Sequence, residues 1–273
     1  MRLRTARSVR LPVRRLSRDP APPLLGPADP DPVVRIGGRA AAPLLIIADH
    51  AGAAIPAALG NLGLPAAERA RHIALDIGVA GLTRALAACT GAPALLQRYS
   101  RLVIDCNRAP DAAAAVVATS DGTDVPGNAD LDPDARRARV GTIHAPWHAA
   151  IAAELAAGPP GMALVALHSF APALRSRPGP RPWHCGVLHL GDSPLSARML
   201  ALLKAEGDLV VGDNQPYAMD ATDFTEPHHA ASRGRPYAEI EVRQDLIANR
   251  AGHARWAHRL ARLLARALEG ETR

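Results

Sequence analysis

Apolar and polar positions fall in blocks that read alternately as strands and helices. Pro43-Leu44-Leu45-Ile46-Ile47-Ala48 is a short unbroken apolar run, the pattern of a parallel strand buried on both faces. Over residues 66–88, Ile73, Ile77, Ala80, Leu82 and Leu86 recur at three- and four-residue spacing, which predicts a helix. Residues 94–105, with Leu102-Val103-Ile104, predict a second buried strand, and residues 162–167, 183–190, 209–211 and 237–242 predict four more. Asp132 before Pro133 predicts an N-cap and a helix to residue 157; Ser193-Pro194 opens another to residue 206. Residues 250–268 carry Trp256, Leu260, Leu263, Leu264 and Leu268 on one face of a terminal helix. Residues 109–132, with Ser120-Asp121-Gly122-Thr123 and Pro126-Gly127-Asn128, read as a long loop, a feature often tied to function. The alternation predicts an α/β fold with a mixed, mostly parallel central sheet flanked by helices.

Composition changes this picture little, and charge changes it in one respect. Hydrophobic residues make up 48% of the 273-residue chain and charged residues 21%, too apolar for a mainly disordered protein. The net charge of +6 invites a nucleic-acid reading. Residues 1–18, however, hold seven arginines and no acid, so without them the net charge is about −1. Aromatics are only 3%, sparse for a protein that stacks bases. Residues 1–33 therefore read as an Arg/Pro-rich tail and linker, and residues 34–273 as a single catalytic domain. No apolar stretch is long enough for a membrane helix. The three cysteines are widely spaced and form no CxxC pair, which fits a reducing, cytoplasmic setting. Neither nucleic acid nor membrane is expected as a partner.

The chemistry gathers where strands end, which is where ligands bind in open α/β sheets. The first predicted strand runs into Asp49-His50-Ala51-Gly52, the second into Asp105-Cys106-Asn107-Arg108, and the third into His168-Ser169. In Glu239-Ile240-Glu241 the alternation puts both carboxylates on one face. Two histidines leaving buried strands, with carboxylates nearby, suit a divalent metal with an open position. His144 and His148 are four apart on a predicted helix, but no HExxH pattern accompanies them, and they read as surface or packing residues. No GxSxG elbow, Walker A or GxGxxG pattern occurs, which argues against a serine hydrolase and against nucleotide cofactors.

Several segments carry a resemblance, in the same order over residues 34–267. They are Asp49-His50-Ala51-Gly52, Arg71-His72-Ile73-Ala74-Leu75-Asp76-Ile77-Gly78, the run from Ser100 to Arg108, Ser120-Asp121-Gly122-Thr123, Leu167-His168-Ser169-Phe170, Arg181-Pro182-Trp183-His184, Gly212-Asp213-Asn214-Gln215-Pro216-Tyr217 and Glu239-Ile240-Glu241-Val242-Arg243. Together they resemble the N-formylglutamate amidohydrolase family, itself similar in fold and site layout to zinc carboxypeptidases and aspartoacylases. The resemblance implies a phosphorylase/hydrolase-like, zinc carboxypeptidase-related fold. It also implies one divalent ion, zinc by expectation, and hydrolysis of N-formyl-L-glutamate or another small acidic N-acyl amino acid. His50 and His168 match the group's two metal histidines. The group's usual glutamate, three residues after the first histidine, is Ala53 here, so Asp76 is assigned as the third ligand, with Asp49 as the competing choice. Glu241 matches the general base. Asn107 and Arg108 match the motif that grips the substrate carboxylate, and Arg101 is assigned to the second carboxylate or the developing oxyanion. His229 and Asn214 are expected to line the pocket. The protein is expected to be a monomer or small homo-oligomer. A related deacylase with another substrate, or an inactive binding homologue, is the alternative.

Overall fold

The computed structural model describes residues 23–39 and 41–269. The arginine-rich part of the predicted tail lies outside them. The strands are β1 (Val33–Ile36), β2 (Leu44–Ala48), β3 (Ala94–Gln97), the hairpin β4 (Thr119–Ser120) and β5 (Thr123–Asp124), β6 (Ala163–Phe170), β7 (Cys185–Leu188), β8 (Val211–Asp213) and β9 (Tyr237–Arg243). The α-helices are α1 (Ala66–Arg69), α2 (Val79–Thr90), α3 (Pro133–Arg139), α4 (Ala145–Ala157), α5 (Pro194–Lys204), α6 (Thr225–His229) and α7 (Arg250–Glu269).

Seven strands form one sheet in the order β1-β3-β2-β6-β9-β7-β8. The central four are mutually parallel; β1 is antiparallel at one edge, and β7 and β8 run against β9 at the other. Alternation along the strands sends side chains to two separate cores. Leu44, Ile46, Val165, Leu167, Ala238, Ile240 and Val242 join α2, α5 and α7 on one face. Leu45, Ile47, Leu164, Ala166 and Tyr237 join Trp147, Ile151 and Leu155 of α4 on the other. The mixed, mostly parallel sheet with flanking helices is the architecture expected from the sequence.

Four local expectations are corrected. The helix predicted over residues 66–88 is two helices with irregular chain between them, and Asp76 lies in that break. Gly78 forces the break: its φ is +85°, and a Cβ there would stand 2.1 Å from the Ile247 carbonyl oxygen. Leu102-Val103-Ile104 is buried, as expected, but is not a strand. Its carbonyls are taken by side chains instead: Asn128 Nδ2 donates to Leu102 O at 2.8 Å, and the buried Arg139 Nη1 donates to Val103 O at 2.9 Å. The helix predicted from Asp132 to residue 157 has the expected cap, with Asp132 accepting from Asp134 N at 2.7 Å. It is interrupted by a π-turn over Val140–His144, just before Pro146, which has no N–H to give the preceding turn. Finally, residues 23–33 are not a free linker. Leu24 is buried, Val33 starts β1, and Pro30 O accepts from Tyr99 Oη at 2.7 Å.

Candidate active site

Three parallel strands deliver the site to one end of the sheet, on the face shared with α4 and α6. His50 follows β2. His168 sits in β6 directly opposite Glu241 of β9, and Glu239 lies opposite Ala166, so all three side chains rise on the same face. Asp76 is drawn in from the broken helical segment by its own N–H, which donates to the His50 carbonyl at 2.9 Å. Ser169 N also donates to Asp76 Oδ2, at 3.2 Å.

The two histidines are oriented alike. His50 Nε2 is 2.7 Å from Asp105 Oδ1, and its Nδ1 is 3.5 Å from Asp76 Oδ2. His168 Nε2 is 3.5 Å from Asp49 Oδ2, and its Nδ1 is 3.0 Å from the same Asp76 oxygen. Each ring thus has a carboxylate behind its Nε2 and turns Nδ1 toward Asp76. Asp49 is itself fixed, accepting from Trp147 Nε1 at 2.7 Å and Thr225 Oγ1 at 2.8 Å. Between the two aspartates weighed from the sequence, the geometry favours Asp76 at the centre and gives Asp49 the position behind His168. Asp105 joins His50 to Arg101, since its second oxygen accepts from Arg101 Nη2 at 2.6 Å. Arg101 Nη1 in turn lies 3.4 Å from Asp76.

The donor atoms of His50, Asp76 and His168 lie within 4.8 Å of one another, and all three residues are buried. His50 Nδ1 is buried without a hydrogen-bond partner. An orphaned imidazole nitrogen, a facing carboxylate and carboxylates backing the far nitrogens form a buried His/Asp cluster that could hold a metal ion. His168, Glu239 and Glu241 form a second such trio that shares His168.

Charge and burial work strongly on these groups. Burial disfavours protonated His168, yet the Glu239, Asp49 and Asp76 carboxylates around it raise its pKa well above the ordinary histidine value. For Asp49 burial opposes ionisation, but the hydrogen bond and charge of His168 hold its pKa at about 2. Glu241 goes the other way: burial pushes it up to about 8, with help from Asp76 and Glu239. Glu226, completely buried on α6, is pushed up to about 7 by burial and then by the charge of Asp49. Sequence reading missed it; an acid in a segment without periodicity carries no signal.

A cavity of about 620 Å³ opens above the site, lined by His50, His168, Arg101, Asn107, Arg108, Glu239 and Glu241 among others. Arg108 Nη1 donates to Asp223 at 2.5 Å. Asn107 Oδ1 accepts from the N–H groups of Phe224 and Thr225, which ties the Asp105–Arg108 turn to the start of α6. Two expected lining residues are elsewhere. His229 is buried behind the wall, with Nε2 2.9 Å from His148 Nδ1. Asn214 clamps a loop: its Oδ1 accepts from His189 N, and its Nδ2 donates to His189 O. His144 and His148, expected as surface or packing residues, are buried and structural. Their Nε2 atoms lie 3.0 and 2.9 Å from the carbonyls of Arg108 and Cys106.

Residues 42–248 match the sequence profile of the N-formylglutamate amidohydrolase family, and the chain belongs to that family. The family match makes the chain a hydrolase acting on amides, built on a mixed α/β fold. A solved gene product of Agrobacterium tumefaciens is 34% identical, with 92% of this chain and 100% of that one covered and a TM-score of 0.84. An N-formylglutamate amidohydrolase from Ralstonia eutropha is 20% identical, with 87% and 97% coverage and a TM-score of 0.65, and shares the fold. No curated protein matches in sequence.

Proposed function

We propose that the protein hydrolyses the amide of N-formyl-L-glutamate, or of a closely similar acidic N-acyl amino acid, to the free amino acid and formate or another acid. The reading further assigns one divalent ion, zinc by its donor set, to His50, Asp76 and His168. The observation that carries it is the convergence of two carboxylate-backed Nδ1 atoms on Asp76. When bound there, such an ion acts as a Lewis acid toward a carbonyl and acidifies a water. The chain's own residues supply the rest. Glu241, buried beside the cluster, accepts the proton of the attacking water and returns it to the departing amine. Burial raises the Glu241 pKa, and a divalent charge held by His50, Asp76 and His168 would favour its ionised form. Arg101 is held toward the site by Asp105 and Asp76 and faces the growing charge on the amide oxygen. Asn107 and Arg108 take the α-carboxylate, Arg108 exchanging Asp223 for the substrate.

In this reading the enzyme works in the cytoplasm as a monomer or small homo-oligomer, without nucleic-acid or membrane partners. Among the described residues no helix is long and apolar enough to cross a membrane. The test is chelation followed by metal restoration on N-formyl-L-glutamate. Activity is expected to vanish and to return with zinc or another divalent ion. Full turnover in protein shown to be metal-free would refute the metal assignment, and no turnover in the metal-loaded protein would refute the substrate.

A further inference from the structure

An acidic N-acyl amino acid brings two carboxylates, and the cavity that must receive them is rich in acid. Six carboxylate residues line it: Asp105, Asp121, Asp220, Asp223, Glu239 and Glu241. Against them stand three arginines, Arg101, Arg108 and Arg177. Two are already engaged, Arg101 by Asp105 and Asp76 and Arg108 by Asp223. Arg177 lines the same cavity, and among the described residues no carboxylate pairs with it.

The segment carrying Arg177 is tied down on both sides. Asp121 Oδ1 accepts from Ser176 N and Ser176 Oγ, each at 2.8 Å, and Asp121 Oδ2 accepts from Arg175 N at 3.2 Å. Arg175 Nη1 donates to Glu68 at 2.9 Å. Asp121 is anchored in turn by Arg71 Nη2 at 2.6 Å, and Arg71 also bonds Glu68 and Thr123. On the far side, Arg181 donates to Ala171 O at 3.0 Å, and its guanidinium lies over Phe170 and Tyr217. The loop thus pairs Arg175 with Glu68 and fastens Ser176, and holds the next residue, the exposed Arg177, at the cavity edge without a carboxylate partner among the described residues. Asp121 adopts φ +43° to do so, at the turn of the β4–β5 hairpin.

We propose that Arg177 receives the side-chain carboxylate of the substrate and so selects acidic N-acyl amino acids, with Asp121 as the positioning residue for its loop. The inference rests on the amide-hydrolysis reading above. Arg108, next to Asn107, remains the partner of the α-carboxylate, which leaves the second carboxylate to the one cavity arginine without an acid.

The experiment compares N-formyl-L-glutamate with N-formyl-L-glutamine on the zinc-loaded protein, and in parallel titrates L-glutamate and L-glutamine calorimetrically. Wild type is expected to favour the acid over its amide roughly tenfold to a hundredfold, the worth of a charge-assisted hydrogen bond. Arg177→Ala is expected to bring that ratio close to one, and Arg177→Lys to keep part of it. Asp121→Asn should lower the ratio by a smaller factor; an unchanged ratio removes Asp121 from the proposal. Hydrolysis with a ratio insensitive to Arg177 overturns the inference and leaves the amide-hydrolysis reading intact. Absent hydrolysis, with a glutamate preference in binding that Arg177→Ala removes, does the reverse. Neither hydrolysis nor a binding preference overturns both.

Discussion

On one face of β9, Ala238, Ile240 and Val242 enter an apolar cluster with α2, α5 and α7. On the other face of the same seven residues, Glu239 and Glu241 are buried beside His168, each with a carboxylate oxygen that finds no hydrogen-bond partner. The first face is stabilised by removing apolar surface from water, about 25 cal/mol per Å². The second works against folding, because buried carboxyls without full partners lose hydration they do not recover. An interior strand, paired parallel with β6 on one side and antiparallel with β7 on the other, can hold both, since its backbone is satisfied on either side and its side chains alternate between the two faces. The cost of burying these carboxyls is thus offset by the apolar cluster on the opposite face of the same strand.

That contrast can be broken from either side. The largest effect is expected on the polar face: Glu241→Gln removes the proton acceptor while keeping shape, and turnover should fall by about two to four orders of magnitude. Melting temperature and bound metal should stay close to wild type; near-normal turnover would take Glu241 out of the mechanism. One residue earlier, Ile240→Ala should do the opposite. It opens a cavity in a fully buried position and should cost about 2–5 kcal/mol in chemical denaturation, with turnover per folded molecule nearly kept. A loss of turnover as large as that of Glu241→Gln would show that the two faces are not independent.

The smallest effect lies at the cavity rim. Asp121 is held at a pKa of about 2; partial burial opposes this, but hydrogen bonds from Ser176 and Arg175 prevail. A carboxylate lowered in the folded state contributes fully above its unfolded value near 4, and the contribution is lost as pH falls toward 2. Hydrogen exchange at Arg175 and Ser176 should therefore rise, relative to the intrinsic rate, between pH 4 and pH 2. Equal protection at both pH values would mean that the carboxylate does not hold the loop.

Much of this was legible in the sequence because it is local or periodic. The run from Leu44 to Ala48, the alternation at Glu239-Ile240-Glu241 and the Asp132-Pro133 cap each identify an element from neighbours alone. So does the placement of His50 and His168 beyond or within buried strands. The departure of Ala53 from the family pattern raises the question of a replacement carboxylate, and Asp76, the one assigned, lies 3.5 Å from His50 Nδ1 and 3.0 Å from His168 Nδ1.

What the sequence could not decide depended on partners far away in the chain. Leu102-Val103-Ile104 has the composition of a strand, but Asn128 and Arg139 take its carbonyls, so no ladder forms. The helix around Asp76 breaks because Gly78 must pass against Ile247, 169 residues later. Asp76 is assigned as a ligand from the sequence with Asp49 left as the competing choice; their surroundings differ only in the fold, where Asp49 accepts from Trp147 and Thr225 and Asp76 meets both histidines. His229 and Asn214, expected in the pocket from their positions before the sixth and after the fifth predicted strand, are turned away from the cavity by bonds to His148 and His189. Periodicity and residue type fix which groups are available at a strand end. Which of them face one another follows from long-range hydrogen bonds and packing, and only the folded chain supplies those.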